Sequence, residues 1–314
     1  LLKTAGQVPA GPLWIAACGP LAYLYAVQLL NVGANVAGFL DTTPRGRLLS
    51  NIGSAVPAFL GQSADMAKGL AWQVKLRTRL KVFSHVSDIE ADGHDRLEHL
   101  TFRRDGHAPQ TVAAQTLLVH EGIVPGIHPT MALGCDHGWN AAQDSYAPKV
   151  DSWGESSVPG IFVAGDLAGI AGATAAGLRG EIAAIGIARK LSACSDAEAD
   201  RDAARLRKAL SKATAARPFL DRAYRPRRTA FVPYDDAQAC RCEEVTVGRI
   251  RALCRSGKGD PNRIKAFSRA GMGACQGRLC NYTVAHILSE ETGSPPEAIG
   301  LYRVRPPFKP VTLD

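Results

Sequence analysis

Aromatic residues are scarce: Phe, Tyr and Trp make up only 6% of the 314 residues, and methionine occurs 3 times. A surface that binds single-stranded nucleic acid interleaves its arginines with rings on which bases stack. The one strongly basic run, Arg217, Arg222, Arg225, Arg227 and Arg228, has only Phe219 and Tyr224 among its arginines, so no nucleic-acid partner is expected. Long apolar runs are also missing. Pro12 to Leu40 carries no charge, but Gly19-Pro20, Asn31, Gly33 and Asn35 cut it into pieces. A spanning helix needs about 20 continuous apolar residues, so the stretch reads as a buried βαβ unit. No basic leader with a small-residue cleavage site is visible. The start, Leu1-Leu2-Lys3 without Met, reads as a crop or a processed end. There is no repeat of fixed period. No nucleophile–base pair, hydrolase metal motif or acid/base dyad is present, so no catalytic residue is assigned. His120 and Glu121 read as structural residues at a strand end.

What is present points to an α/β protein of two or three domains. Gly (31 residues) and Ala are plentiful, which suits close packing of helices on strands. The net charge of +8 is uneven: residues 1–188 carry −2, residues 189–230 carry +7 and residues 231–314 carry +3. Basicity is thus a property of one connecting segment. Eight cysteines in a chain of this length do not make a secreted disulfide scaffold, and a reducing, cytoplasmic setting is expected. Cys18, Cys135, Cys194 and Cys254 read as ordinary small residues.

Residues 12–18 predict a strand, Gly19 a tight turn, Pro20 the first position of a helix, and residues 35–40 a second strand ending at Asp41. That is the layout of a dinucleotide-binding βαβ. A helix is expected over 57–72, strands over 79–86, 97–104 and 112–120 as a meander, a strand over 158–164 and a helix over 173–191. The domains follow as 1–125 (an NAD-like Rossmann unit with a meander), 126–191 (the C-terminal part of an FAD-binding domain into which the first unit is inserted), 192–230 (a charged helix and basic linker), 231–293 (a cysteine module) and 294–314 (an extended tail).

Cys240-x-Cys242 and Cys275-x4-Cys280 supply four thiols in two close pairs. Such a set holds a [2Fe–2S] cluster or a structural zinc. A one-residue gap beside a four-residue gap is unusual for zinc. Gly271, Gly273 and Gly277 allow backbone N–H groups near sulfur, and Arg241, Arg269 and Arg278 place positive charge beside a centre that becomes more negative on reduction. These features favour iron–sulfur over zinc or four unrelated thiols.

The runs Cys240-Arg241-Cys242-Glu243-Glu244-Val245-Thr246 and Lys265 to Cys280, with the ending Tyr302-Arg303-Val304-Arg305-Pro306-Pro307-Phe308-Lys309-Pro310-Val311, resemble the A (alpha) subunits of opine oxidase, D-hydroxyproline dehydrogenase and hydrogen cyanide synthase type. These end in a [2Fe–2S] domain like bacterioferritin-associated ferredoxin. The resemblance covers essentially the whole chain. It implies disulfide-reductase-like FAD/NAD(P)-binding Rossmann domains, incomplete at the N-terminus, plus a small α-rich [2Fe–2S] domain. The partner it implies is a flavin-containing, substrate-oxidising beta subunit. A small third subunit, the electron acceptor and peripheral membrane association stay open.

Gly165 and Asp166, followed by Gly172, Ala173, Thr174 and Ala175, resemble the second FAD signature of this class, in which the acid holds the ribityl chain and the helix start approaches the flavin. Gly122 and Pro125 resemble the turn that returns the chain toward the flavin, although Gly126 stands where the family often has Asn. The first FAD strand with its Gly-x-Gly-x-x-Gly is expected in roughly a hundred or more residues upstream, on the size of a nucleotide domain. The loop around Gly19 and Pro20 is degenerate, with Ala17 and Ala22 at the outer glycine positions. Whether it takes NAD(P) or another nucleotide, with Asp41 on a ribose, stays open. The expected function is electron transfer from the beta subunit's flavin through FAD and [2Fe–2S] to an acceptor. The alternatives are a self-contained NAD(P)H-dependent reductase and, less in keeping with the residues, a zinc-containing nucleic-acid binder.

Overall fold

The computed structural model describes residues 2–308 and residue 311. The chain forms two compact units: Leu1–Gly122 with Lys212–Arg227, and Ile123–Ser211 with Arg228–Asp314.

The first unit opens with α1 (Leu2–Ala5), β1 (Leu13–Ala17), α2 (Pro20–Asn31) and β2 (Val36–Asp41). It continues with α3 (Arg47–Ser50), α4 (Ile52–Arg79), β3 (Lys81–Ser84), β4 (Val86–Asp92), β5 (His99–Arg104), β6 (Gln110–Ala113) and β7 (Thr116–His120). A parallel sheet runs in the order β3-β2-β1-β7. All five residues of β1 are buried, as a central strand covered on both faces requires. The two-residue period of the strand sorts them: Leu13, Ile15 and Ala17 join Ala22, Ala26, Leu29 and Leu76 of the helices. Trp14 and Ala16 join Val86, Leu100 and Phe102 of the antiparallel meander β4-β5-β6. Gly38 makes room for that indole, since a methyl there would come within 2.3 Å of Trp14 Cζ3.

The expected strands 79–86 and 112–120 are each two strands. Each ends in one sheet and starts in the other, and the break between β3 and β4 is His85, at φ +62°. Its Nδ1 lies 3.1 Å from the Thr43 carbonyl. The expected helix 57–72 is the middle of α4, which kinks at Gln62. The Gln62 side chain accepts from the Ala216 N–H at 2.8 Å, a tertiary contact that local sequence does not reveal.

The second unit contains α5 (His128–Ala132), the hairpin β8 (His137–Asn140) and β9 (Ser145–Pro148), a 3₁₀ turn Gly165–Ala168, α6 (Ala173–Lys190) and α7 (Asp196–Thr214). Trp153, Ile182, Ala199, Ala203 and Leu206 form its local core. The expected strand 158–164 is not regular: among the described residues it shows only an isolated bridge, Glu155 to Phe162. An apolar run becomes a strand only where a neighbour completes its ladder. The basic stretch 192–230 carries α7 and then α8 (Arg217–Ala223), which returns to the first unit and buries Phe219 and Ala223 against Ala58.

The remainder holds α9 (Arg228–Phe231), β10 (Gln238–Cys240), β11 (Val245–Thr246), α10 (Val247–Arg255), α11 (Pro261–Ser268), α12 (Asn281–Thr292) and α13 (Pro296–Ile299). Its core is Val247, Ile250, Leu253, Ile264, Val284, Ile287 and Leu288 with Cys240, Cys280 and Tyr302. Helix starts follow local chemistry. The Thr246 hydroxyl accepts from Arg249 N–H at 3.3 Å, and the Asp260 carboxylate accepts from Asn262 and Arg263 N–H at 2.8 and 3.1 Å. Among the described residues no helix is long and apolar enough to cross a membrane.

Candidate functional site

Each of the four clustered cysteines is placed by a different local device. Cys240 ends β10, opposite Val245 in the β10–β11 hairpin, and Cys242 lies in the turn beyond. Cys275 lies in the loop after α11, and Cys280 immediately precedes α12, with no capping hydrogen bond from its side chain. Cys240 and Cys280 are each 1% exposed, Cys275 is half-buried and Cys242 is exposed. Cys280 interacts with Cys240 and Cys275, and Cys275 with Cys242. The set therefore has an inner and an outer pair.

Their electrostatics differ. Burial, with the neighbouring Cys240, pushes the Cys280 thiol up to about 12. Burial also acts to raise Cys275, but hydrogen bonds from the Leu279 backbone, from Cys242 and from the backbone of Gly277 and Arg278 outweigh it and lower that thiol. The Gly271 N–H points at Cys240 Sγ from 3.5 Å. Backbone donors aimed at sulfur are what a thiolate ligand needs.

The glycines do more than admit N–H groups. A methyl on Gly273 would come within 2.2 Å of Cys242 Cβ. Methyls on Gly271 and Gly277 would strike the Tyr302 ring at 2.6 and 2.8 Å. Tyr302 is the residue that sequence reasoning passed over, although it begins the ending that carries the resemblance. It is 1% exposed, and its buried hydroxyl has the Cys280 thiol as its one polar neighbour among the described residues. Burial, with Cys280, Cys240 and Cys275 in electrostatic reach, holds its pKa far above the usual phenol range. The Tyr302 hydroxyl facing Cys280 acts to lower that thiol, and with the Gly271 N–H at Cys240 it puts donors on both inner sulfurs, so the residues fit a group held by thiolates. Among the described residues no three His, Cys, Asp or Glu converge on a single ion. A binuclear cluster divides four thiolates between two irons and has no need of that tighter convergence.

Of the three arginines, Arg269 pairs with Glu243 at 2.7 Å and Arg278 donates to the Cys275 carbonyl at 3.0 Å. Tyr282, two residues after Cys280, ties α12 to the β8–β9 hairpin. Its hydroxyl accepts from the Tyr146 N–H at 3.1 Å, and Tyr146 donates to the Glu297 carbonyl at 2.8 Å.

The other expected residues fall in two groups. In the second unit lie Pro125, Gly165, Asp166, Gly172, Ala173, Thr174 and Ala175. Asp166 Oδ1 accepts from the Ala171 and Gly172 N–H groups at 3.2 and 3.4 Å. The carboxylate thus shapes the loop entering α6, and Oδ2 has no partner among the described residues. Gly172, at φ +100°, starts α6 with no side-chain cap. A methyl on Gly169 or Gly172 would meet nothing within 4 Å. This is an uncapped 18-residue helix with open space at its start, the setting that favours negative charge. Arg179 donates to the Gly165 and Gly169 carbonyls at 3.2 and 2.6 Å and fixes the loop.

In the first unit lie Gly19, Pro20, Asp41 and Gly122. Gly19 has φ +97° and precedes Pro20 at the first position of α2. Asp41 Oδ2 accepts from the Tyr23 hydroxyl at 3.1 Å and Oδ1 from the Thr43 N–H at 3.0 Å. Glu121 accepts from the Thr42 hydroxyl at 3.1 Å and pairs with Arg227 at 3.2 Å. Burial nevertheless raises its pKa, and burial lowers that of His120.

Residues 239–314 match the sarcosine oxidase A3 domain. The A subunit of opine oxidase from Rhizobium meliloti (strain 1021) is 38% identical over all of this chain and 68% of its own length. The chain belongs to the family of opine oxidase A subunits. A second opine oxidase relative of the same kind, also from Rhizobium meliloti, is 39% identical over 99% of this chain and 59% of its own length. Hydrogen cyanide synthase subunit HcnB of Pseudomonas aeruginosa is 32% identical over 99% and 67%. The chain thus spans about three fifths to two thirds of the length of these relatives. L-Proline dehydrogenase from P. horikoshii shares the fold, with a TM-score of 0.67 over 99% of this chain and 51% of its own length at 18% identity.

Proposed function

We propose that this chain is the electron-transfer subunit of a heteromeric, flavin-dependent dehydrogenase acting on the C–N bond of an opine or related amino-acid-derived amine. The substrate is oxidised on a flavin of a separate beta subunit. Membership of a family whose relatives are named as subunits supports the reading. The observation that carries it is the four-cysteine set of the C-terminal module, with the buried Tyr302 hydroxyl facing the Cys280 sulfur.

In this reading Cys240, Cys242, Cys275 and Cys280 hold a [2Fe–2S] cluster. The loop Gly165–Asp166 and the helix start Gly172–Ala175 hold FAD, with Gly122 and Pro125 shaping the turn after β7. When bound, the flavin takes electrons in pairs and the iron–sulfur centre passes them singly. The chain's own residues supply the setting. Gly271 and the 277–279 backbone donate to sulfur, Tyr302 closes the inner pair to water, and Arg241 and Arg278 offset added negative charge. The chain is read as cytoplasmic, with no nucleic-acid role.

The test is purification of the full-length protein with its co-purifying partner. Flavin absorption, with iron and acid-labile sulfide in equal amounts, is the expected result. Cys240→Ala and Cys280→Ala are expected to lose iron and keep flavin. Zinc without iron or sulfide overturns the cluster. Bleaching of the flavin by NAD(P)H in this chain without its partner would favour a self-contained reductase over the heteromeric reading.

A further inference from the structure

A Rossmann unit takes its dinucleotide in the crevice beyond the carboxyl ends of its strands. The second glycine of the fingerprint lacks a side chain so that pyrophosphate can approach the backbone. Gly19 holds that position here. The space over it is filled: a Cβ built on Gly19 would lie 3.5 Å from Tyr224 Cβ and 3.7 Å from its Cγ, ordinary packing contact.

We propose that residues 217–227 are a built-in strap that occupies the dinucleotide crevice of the first unit, with Tyr224 where a pyrophosphate would approach, and so exclude NAD(P)H as an electron donor to this chain.

The strap is tied along its length, at each strand end that would face a nucleotide. Beyond β1, Cys18 Sγ donates to the Tyr224 carbonyl at 3.4 Å. The Tyr224 ring meets Tyr23 edge-on at 6.4 Å, and its hydroxyl accepts from Gln73 at 3.3 Å. Beyond β2, the Arg47 guanidinium donates to the Arg225 carbonyl and, at 3.4 Å, to that of Pro226. Beyond β7, Pro226 Cγ would lie 3.3 Å from a Cβ on Gly122. Arg227 pairs with Glu121 and donates to the Ser87 carbonyl. Helix α8 anchors the strap through Phe219 and Ala223, packed on Ala58.

The second requirement of the fingerprint is also taken up. Asp41 ends β2, where an acid would accept a ribose hydroxyl, but each of its oxygens already accepts from the protein. A nucleotide would have to displace a tethered segment, and its apparent affinity falls by the fraction of time the strap is open. The degenerate glycines fit this: Ala17 and Ala22 are 0% and 4% exposed, part of a packed core. The inference rests on the first unit alone and stands whether or not the cluster and FAD assignments hold.

The test is amide hydrogen exchange on the full-length protein with its partner, with and without millimolar NADH, NADPH or ADP. Unchanged exchange over residues 13–43 and 217–227 is the expected result. Protection of 13–43 by any of the three, with or without release of 217–227, overturns the proposal. Thiol labelling read by peptide mapping supplies a second arm. Cys18, 3% exposed, is expected to label about tenfold faster in Tyr224→Gly than in the wild type, because the variant removes its cover. Equal rates would show that Tyr224 does not close the crevice.

Discussion

Tyr302 and Gly271 are packed so closely that a methyl on the glycine would lie 2.6 Å from ring carbon Cε2. Gly271 also sits at φ +85°, where a side chain is strained whatever the space. Gly271→Ala is therefore expected to destabilise the cysteine module by about 2–4 kcal/mol, from overpacking and backbone strain together. Thermal unfolding of the purified protein checks this. A melting point equal to that of the wild type would mean that the ring does not seat against this glycine.

The Tyr302 hydroxyl and its ring contribute unequally. Removing the ring from a fully buried site costs about 3–5 kcal/mol, so Tyr302→Ala is expected to unfold the module or lower its transition sharply. Tyr302→Phe removes only the hydroxyl that faces the Cys280 thiol. In metal-free protein it is expected to cost about 1 kcal/mol or less. Denaturant titration of the two variants separates the contributions, and a loss in the Phe variant as large as in the Ala variant would show that the hydroxyl, not the ring, holds the residue.

Asp260 caps α11, the helix that leads into the second cysteine pair. Its Oδ1 accepts two backbone N–H groups that the helix itself cannot satisfy. Asp260→Ala is expected to cost about 1 kcal/mol, with Asp260→Asn or Asp260→Ser restoring most of it. Urea midpoints for the three variants are the measurement.

Cys18 makes the first unit sensitive to alkali. Burial pushes its thiol from 9.0 up to about 11, with Glu121 and Asp41 adding to the shift and the Thr43 hydrogen bond opposing it. The folded-state value lies above the unfolded one. The contribution is therefore fully present below about pH 9 and is lost as pH rises through about 11, of order 2 kcal/mol in all. Stability measured from about pH 8 to about pH 11 is expected to fall less steeply in Cys18→Ala than in the wild type. Parallel profiles would count against a buried thiol.

Much of the local architecture was legible in the sequence because its signals are short-range. The apolar run before Gly19-Pro20 gave β1 and α2, and the Ala/Gly run after Gly172 gave α6 almost to the residue. The meander was legible only in outline. Residues 79–86 look like one strand, and nothing local says that His85 turns the chain from the parallel sheet into the antiparallel one. The apolar run 158–164 failed as a strand for the converse reason: periodicity reports burial, while a ladder needs a neighbour. Spacing alone pointed to the two cysteine pairs. It did not single out Tyr302, whose importance comes from a packing contact across 31 residues of chain with Gly271.

By itself the sequence determined the residue types at each local decision. These are the glycines that adopt positive φ, the prolines that open helices, the four thiols, and the two-residue alternation that gives β1 different cores on its two faces. Only the tertiary structure decided what fills the spaces those choices leave. Gly19 has the backbone of a nucleotide loop, yet its open face is covered by Tyr224, a residue 205 positions away in the chain. The basic run that looked like a linker supplies that cover. Local propensity sets backbone shape, but occupancy of a crevice is a long-range contact, and no window of sequence contains both partners.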